Sequence, residues 1–423
     1  MKKLIYALAL LPILGVAQTT TTSPYSNFGY GEAKFNNNPS INAMGGLSTS
    51  YESPMGTEAN FSNPAANSNL RLTSFEFSFN TDLSKYKTND ASEKNSASYI
   101  SGISLAFPVG KRVVAGVGFQ PFSGNGYDLK TVSGTTTTTF SGEGGLNSLQ
   151  FLASYKPLKE KNLSLGITAQ YLFGSTDRKQ ILSEDETLLV NEYFLRDEVT
   201  GLSVTLGGLY KHNIKKDRFL NIGATYRFGT ELNNDPERSL VSYVNYANGS
   251  PNPYTIDTIQ LSTAGRGFKI PAKLSLSTSY ERDKNWMLGV QYDYEKMSDL
   301  SDLDTRSIVS YSDKHRVALG GYWIPDYKSY NSYMRTVTYR AGLYYEKTGI
   351  AVAGNDGFED INDYGITFGM GLPIGRDKFS SLNIAADLGQ KGSTNGGLIR
   401  ETYAKLKISF NLNDLWFLKR KYD

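Results

Sequence analysis

The feature of this sequence that most restricts its fold is an alternation of strand-like segments with links of two lengths. From residue 72 to residue 412, fourteen segments have the apolar–polar alternation of β-strands, and each ends in a turn or loop. Every second link is tight, whereas the others are generally longer and polar. An up-and-down barrel in an outer membrane has this pattern, because its periplasmic turns are short and its extracellular loops are long. The predicted links are, in order, 84–95, 109–110, 123–145, 157–160, 176–197, 214–216, 232–264, 282–284, 298–312, 326–332, 350–360, 374–378 and 392–398.

Alternate positions of the segments form one apolar and one polar face. Residues 163–173 place leucine, isoleucine, tyrosine and phenylalanine on one face, and 286–295 and 406–412 repeat the pattern. A water-soluble sandwich and a membrane barrel share this period, so the period alone leaves both open. Many segments are about 12–16 residues long. That length exceeds the ~5–6 residues of a globular strand and suffices for a tilted membrane crossing, which favours the barrel.

The N-terminal residues predict export. Lys2 and Lys3 precede an apolar run from Leu4 to Val16, and small residues lead to Ala17. A basic start, a short apolar core and a small-residue site are typical of a secretory signal peptide. The apolar run is shorter than the ~20 residues that a helix needs to span a bilayer. We therefore expect cleavage after Ala17 and export to the outer membrane.

Composition excludes several classes of function. The net charge is +3, and it falls to about +1 when the two leader lysines are removed. Charges of both signs are mixed along the chain, which offers no electrostatic footprint for nucleic acid. The sequence has no cysteine, which excludes disulfides, thiolate metal sites and lipid attachment through cysteine.

Fourteen strands enclose a lumen wider than a side-chain core, so we expect a plug inside it. Residues 18–70 are rich in asparagine, serine, glycine and proline and carry scattered apolar residues. They have too many turn formers for a helix bundle and too many apolar anchors for a typical disordered tail. A compact plug satisfies both observations, and a disordered periplasmic tail is the alternative.

Three motifs in this segment resemble the hatch region of the long-chain fatty acid transporter (FadL-type) family. They are Phe-Gly-Tyr-Gly at 28–31, Ala-Met-Gly-Gly at 43–46 and Asn-Pro-Ala at 63–65, just before the first strand. In that family an Asn-Pro-Ala motif closes a hatch that precedes a fourteen-stranded barrel. Weaker similarities continue at 207–211, 221–227, 270–272 and 315–320.

Together these observations predict an all-β chain, a 14-stranded antiparallel transmembrane β-barrel with an N-terminal hatch in the lumen. The expected parts are a signal peptide at 1–17, the hatch at 18–70, the barrel at 71–413 and a periplasmic tail at 414–423. The tail carries an aromatic pair followed by a basic stretch, which is typical of an interfacial anchor.

The resemblance implies passive uptake of small hydrophobic compounds, such as long-chain fatty acids or aromatics, as partners of the barrel. Extracellular loops would catch the compound, a pocket between hatch and wall would hold it, and a gap beside a kinked strand would release it into outer-membrane lipid, whose interior suits it. Glycine and proline near 116–126 are the candidates for the bulge. The residues expected to bind or gate are Asn63, Pro64, Ala65, Phe61, Met44, Met55, Gly45 and Gly46.

A second function stays open, that of a non-transporting subunit that docks secreted or outer-membrane proteins. It would use the loops 123–145 and 232–264, or the basic tail. An enzyme is not expected, because His212 and His315 lie beside lysines near strand ends and no nucleophile elbow or His-Glu-x-x-His motif is present. No cofactor or metal site is expected, since the acidic clusters near 299–304 and 356–363 lack EF-hand spacing.

Overall fold

The computed structural model describes residues 20–34, 38–157, 162–184, 187–244, 254–261, 268–300, 308–355, 357–375 and 378–414. The expected signal peptide and residues 415–423 of the expected tail lie outside these ranges. Within them, no helix is long and apolar enough to cross a bilayer.

The described chain is mostly β-structure, with twenty strands that we number in chain order. One short α-helix, α1 (Pro39–Asn42), and five 3-10 turns accompany them. The turns span Pro24–Asn27, Pro64–Asn67, Met297–Asp299, Tyr333–Arg335 and Asn395–Gly397. The strands are β1 Glu32–Ala33, β2 Thr73–Lys87, β3 Ser92–Pro108, β4 Val113–Gly124, β5 Tyr127–Ser133, β6 Thr136–Tyr155, β7 Leu163–Glu184, β8 Leu189–Lys215, β9 Arg218–Arg227, β10 Thr230–Val244, β11 Tyr254–Gln260, β12 Phe268–Ile270, β13 Lys273–Arg282, β14 Trp286–Glu295, β15 Val309–Tyr311, β16 Lys314–Trp323, β17 Thr338–Gly354, β18 Gly357–Ile374, β19 Ser380–Lys391 and β20 Arg400–Asp414.

Fourteen of these strands close into an antiparallel barrel, as the sequence predicts. Their order is β2, β3, β4, β6, β7, β8, β9, β13, β14, β16, β17, β18, β19 and β20. The ring closes because β20 pairs with β2 along its whole length, from Thr73 opposite Asp414 to Lys87 opposite Arg400. The other six strands either extend the barrel wall or belong to the part of the chain inside the barrel. Among them, β10, β11 and β12 form a sheet that is joined to β8 through β10.

The apolar face of the strands points outward and the polar face inward. In β2, Phe75 and Phe79 are 36% and 38% exposed, whereas Glu76 and Asn80 are 6% and 0% exposed. The same reversal holds for Leu288, which is exposed, and for its inward neighbours along β14. A water-soluble sandwich buries its apolar face, so this arrangement identifies a barrel whose outer surface meets hydrocarbon.

The links differ from the prediction at one end of the barrel. The short turns occur as expected, for example at 216–217 and 283–285. We call that side the short-turn end and the opposite side the long-loop end. Most predicted long loops are instead strands that continue past the apolar band, as in β7 and β8, which replace much of the predicted loop 176–197. Beyond the bilayer both faces of a strand meet water, so the alternation that marks a strand disappears from the sequence.

The N-terminal segment, whose described residues are 20–34 and 38–72, lies inside the barrel. Its parts contact inward positions on strands from different sides of the ring: Pro64 meets β7, Thr49 meets β9 and Met44 meets β16. Helix α1 contacts β18, β19 and β20. Because strands around the whole ring reach the same segment, it occupies the lumen.

Glycine on the inner wall makes this close packing possible. A Cβ atom at Gly207, Gly320 or Gly342 would overlap atoms of the N-terminal segment. Only a residue without a side chain lets the backbone of the segment approach the backbone of the wall so closely. These wall glycines therefore fix where the segment lies.

Candidate functional site

Three buried asparagines hold the end of the N-terminal segment in one shape. The Asn63 Oδ1 atom accepts a hydrogen bond from the Ala65 N–H (3.0 Å) and so caps the 3-10 turn that Pro64 begins. The Asn63 Nδ2 group donates to the Thr49 carbonyl at 2.6 Å. The Asn67 side chain bonds twice to the Asn60 backbone: its Oδ1 atom accepts from the Asn60 N–H at 2.7 Å, and its Nδ2 group donates to the Asn60 carbonyl at 2.8 Å. These hydrogen bonds hold the last part of the N-terminal segment in a compact shape shortly before β2 begins.

Sequence reasoning found Asn63 and missed its partners. Asn60 and Asn67 stand three residues before and four residues after it. Asn60 also donates to the Ser48 and Tyr51 carbonyls, at 2.8 and 3.0 Å. The spacing of the three asparagines around a proline is the signal that could have identified the set.

Met44, Gly45 and Gly46 form the turn that ends α1. Gly45 and Gly46 have φ values of +66° and +83°, which favour glycine. Their N–H groups donate to the Asn42 and Ile41 carbonyls, both at 3.1 Å. The Gly45 N–H also donates to the Thr367 hydroxyl on β18, at 2.8 Å. The motif that resembles the hatch region is thus a turn pinned to the barrel wall.

Buried ion pairs tie the segment to the wall. Glu58 lies 3.4 Å from Arg340 on β17, and Glu52 lies 3.6 Å from Lys211 on β8. Burial raises the pKa of the Glu52 carboxyl, although Lys211 beside it acts in the opposite direction. Breaking one partner of such a pair leaves an uncompensated charge in the interior, at a cost of about 3–5 kcal/mol.

The same kind of network holds β1. Glu32 lies 2.8 Å from Lys34 and 3.4 Å from Lys405 on β20. Burial alone would raise the pKa of Glu32, but Lys34 and Lys405 hold it well below its usual range. Ion pairs therefore anchor both ends of the segment.

The barrel wall is incomplete between β3 and β4. These strands pair only from Ile103 opposite Phe119 to Pro108 opposite Val114. Beyond Ile103, toward the long-loop end, β3 pairs only with β2 within the described chain. We call this opening the wall gap.

A bulge in β4 accompanies the gap and confirms the bulge predicted near 116–126. The register of β4 against β6 shifts between Pro121 and Ser123. Beyond the shift, Ser123 and Gly124 pair with β1 of the N-terminal segment. Strand β4 thus separates from β3 and bends toward the N-terminal segment, and the wall is open between the two strands.

A cavity of about 150 Å³ lies between the N-terminal segment and the wall at this gap. Gly102, Ile103 and Phe119 line it where the pairing of β3 and β4 stops, and Phe61 lines it from the segment. A second, larger recess of about 1040 Å³ lies farther toward the long-loop end, between β3 and β5. The geometry thus places an interior cavity beside an opening in the lipid-facing wall.

Phe61, Met44 and Met55, three of the residues expected to bind or gate, do not line one common pocket. Phe61 lines the cavity at the wall gap, but Met44 is fully buried in a packed cluster with Ile41 and Leu47. Met55 lines a different cavity at the short-turn end. Asn63, Pro64 and Ala65 shape the segment and contact the wall, as Gly45 does at α1, where Gly46 completes the turn.

Polar side chains that sequence reasoning did not single out face the cavity. Glu76, Gln150, Gln170, Gln291 and Arg227 line it opposite the aromatic wall. Gln150 is 1% exposed, and neither atom of its amide has a hydrogen-bond partner in the described chain. The cavity therefore has one aromatic side and one side with unused hydrogen-bonding capacity.

Residues 1–423 match the family model described as BamG. No curated protein matches the chain at a significant level.

Several solved structures share the fold at low sequence identity. The Pseudomonas putida toluene transporter TodX is 18% identical, with 92% of this chain and 99% of that chain covered and a TM-score of 0.62. The Ralstonia pickettii toluene transporter TbuX is 16% identical, with 89% and 97% covered and a TM-score of 0.59. A Pseudomonas aeruginosa FadL homologue is 15% identical, with 88% and 97% covered and a TM-score of 0.56. The fold is therefore that of the FadL-type outer-membrane barrels, as the sequence motifs predicted.

Proposed function

This chain belongs to the BamG family, and from that premise and the FadL-type fold of its barrel we propose that it admits small hydrophobic compounds through the outer membrane. The cavity beside the wall gap is the observation that carries the proposal. A cleaved signal peptide at residues 1–17 would export the chain, and the short-turn end would face the periplasm. The chain itself would catalyse no reaction.

The size of the cavity favours a compound with a single ring over a long-chain fatty acid. At about 150 Å³ it is smaller than the roughly 300–1,000 Å³ of pockets for drug-sized ligands. TodX and TbuX are toluene transporters by name, and a compound of that size suits the aromatic side formed by Phe61 and Phe119. The long-chain specificity implied by the sequence resemblance is therefore not the one we propose.

The compound would leave the barrel laterally, through the wall gap, and not along the barrel axis. The N-terminal segment fills the lumen, and its ion pairs with Arg340 and Lys211 make an axial path through charged groups costly for an apolar molecule. The wall gap opens the cavity toward hydrocarbon, where an apolar compound is stable. The segment would serve as a fixed hatch that directs the compound to the wall.

A disulfide across the gap tests this route. A Cβ atom at Gly102 would lie 3.8 Å from the Gln120 Cβ, which equals the mean Cβ separation of a disulfide. The chain has no native cysteine, so the Gly102→Cys/Gln120→Cys variant forms a single defined bridge. We expect oxidation to abolish most of the uptake of radiolabelled toluene by cells that carry the protein, and reduction to restore it.

A second bridge elsewhere in the wall is the control. A Cβ atom at Gly229 would lie 3.6 Å from the Ala272 Cβ, away from the gap. Oxidised Gly229→Cys/Ala272→Cys should take up toluene at the rate of the unmodified protein. Equal uptake by the oxidised gap variant and this control would exclude passage through the gap.

One observation favours docking of outer-membrane protein partners as a second function. All residues of β11, Tyr254–Gln260, are exposed, and in the described chain this strand pairs only with β10. A free strand edge is a template for a strand of another protein. Co-purification of a partner in mild detergent, lost in the Ile256→Pro/Ile259→Pro variant, would support docking; recovery of the same partner with that variant would contradict it.

A further inference from the structure

A cavity of about 840 Å³ opens at the short-turn end of the barrel. Residues 52–58 of the N-terminal segment form its floor, and the barrel turns form its walls. Basic side chains outnumber acidic ones among its lining residues. We call this cavity the basic mouth, and its charged residues are Arg71, Lys156, Lys211, Lys284, Lys328, Arg340, Lys378, Glu52, Glu58 and Asp283.

The acids on the floor are already paired with the deepest basic groups. Glu58 pairs with Arg340, and Glu52 pairs with Lys211. No ion pair to an acid is found within the described ranges for Lys156, Lys284 or Lys328, which surround the opening. The outer part of the mouth thus carries net positive charge.

Aromatic rings lie among these lysines. The Lys284 and Lys328 ammonium groups lie 5.5 and 5.4 Å from the centre of the Tyr327 ring. Tyr330, on the same link between β16 and β17, is 98% exposed and also lines the mouth. This link runs from residue 324 to 337 and includes a 3-10 turn, so it is long for the short-turn end.

We propose that the basic mouth binds an acidic, extended segment of a periplasmic protein. Carboxylates of the segment would meet the lysines, and its apolar side chains would pack on Tyr327 and Tyr330. Complementary charge favours such a partner and speeds its association. A barrel that admits small compounds and one that only docks proteins would expose the same face, so this proposal does not depend on uptake.

The position of the basic groups favours a polypeptide over lipid headgroups. A phospholipid of the inner leaflet lies outside the barrel, whereas these lysines line a recess whose floor is the N-terminal segment. An extended chain end or loop reaches such a recess. A headgroup held in the leaflet would instead meet lysines on the outer rim.

A peptide titration tests the proposal with the full chain in detergent. The probe is a fluorescein-labelled twelve-residue peptide of alternating glutamate and tyrosine, followed by fluorescence anisotropy. The Lys156→Glu/Lys284→Glu/Lys328→Glu variant should bind it at least about ten-fold more weakly than the unmodified chain, because three favourable charge contacts become repulsive. Binding should also weaken as the salt concentration rises from about 0.1 to 1 M.

A matched variant distinguishes binding at the basic mouth from an effect of the net charge of the protein. Lys87→Glu/Lys94→Glu/Lys130→Glu reverses three exposed lysines at the long-loop end, and it should bind the probe within about two-fold of the unmodified chain. The Lys156→Gln/Lys284→Gln/Lys328→Gln variant should weaken binding of the probe by an intermediate factor. It replaces the glutamate variant in the test if the glutamate variant fails to fold.

Three outcomes would overturn the proposal. One is equal binding by both triple variants, and a second is equal binding of a peptide of alternating lysine and tyrosine. The third is displacement of the probe by short-chain phosphatidylglycerol at concentrations at which short-chain phosphatidylcholine has no effect, which would assign the mouth to lipid.

Discussion

The Arg316 guanidinium, on barrel strand β16, donates a hydrogen bond of 2.7 Å to the carbonyl oxygen of Gly45, at the turn that ends α1. The same guanidinium lies 3.6 Å from Asp293 and 3.4 Å from Glu346 on the neighbouring strands. One buried side chain therefore joins two wall carboxylates to the backbone of the segment in the lumen. Ion pairs and a hydrogen bond of Arg316 thus connect the barrel wall to the N-terminal segment in the lumen.

We expect Arg316→Met to destabilise the protein by about 3–5 kcal/mol, because Asp293 and Glu346 would lose a buried counter-charge. Thermal unfolding in detergent measures the effect. Arg316→Lys keeps the charge and loses the planar fork, so its loss should be smaller. Equal losses in the two variants would show that geometry, and not charge, is the contribution of this residue.

Two adjacent glycines on β8 provide a test of the close packing of the segment. A Cβ at Gly207 would overlap Asn63 and Pro64, whereas a Cβ at Gly208 meets nothing nearer than Leu165 at 4.0 Å. We expect Gly207→Ala to cost about 1–3 kcal/mol and to make the segment more sensitive to protease. Gly208→Ala should change stability by no more than about 0.5 kcal/mol. Similar protease sensitivity of both variants would contradict the packing at Gly207.

The sequence determines the barrel strands well, for a physical reason. A strand that separates lipid from a polar lumen must alternate, so Leu288 and its neighbours on β14 reveal both the strand and its faces. Strands that rise above the bilayer lose this requirement, and the threonine run of 136–139 in β6 has no apolar face to recognise. That difference explains why the sequence predicts an early end for β7 and a late start for β8.

The site is less predictable because it depends on contacts between distant residues. Asn63 and Gly45 are identifiable from local turn chemistry, which depends only on neighbouring residues. The wall gap depends on which strand β4 pairs with after Phe119, and β1 competes for that edge from far away in the sequence. No local pattern encodes that competition. Met44 and Phe61 lie in different places for the same reason, because the three-dimensional fold of the segment, and not a local sequence pattern, sets their positions.

Asn63 has two separable roles, a cap and a cross-link. Asn63→Asp keeps an acceptor for the Ala65 N–H but places an oxygen against the Thr49 carbonyl, whereas Asn63→Ala removes both hydrogen bonds. We expect the alanine variant to lose about 2 kcal/mol of stability, and the aspartate variant to lose at least as much because a buried charge would face a carbonyl. Thermal unfolding at neutral pH compares them. An aspartate variant as stable as the unmodified chain would show that the cap alone matters.

Gln150 should decide whether the proposed cavity prefers a compound with a hydroxyl group. Its buried amide faces the cavity and has no hydrogen-bond partner in the described chain, and such a group left unpaired costs about 1–3 kcal/mol. A phenol would satisfy it and toluene would not, so the unmodified protein should take up phenol in preference to toluene. Gln150→Leu should reduce phenol uptake about ten-fold and leave toluene uptake unchanged or higher. Competition between the two radiolabelled compounds in the same cells measures the ratio directly, and Gln170→Leu, on the same cavity wall, is the matched control. If Gln150→Leu leaves the phenol-to-toluene ratio as it is in the unmodified protein, the amide does not contact the compound, and the cavity selects by size alone.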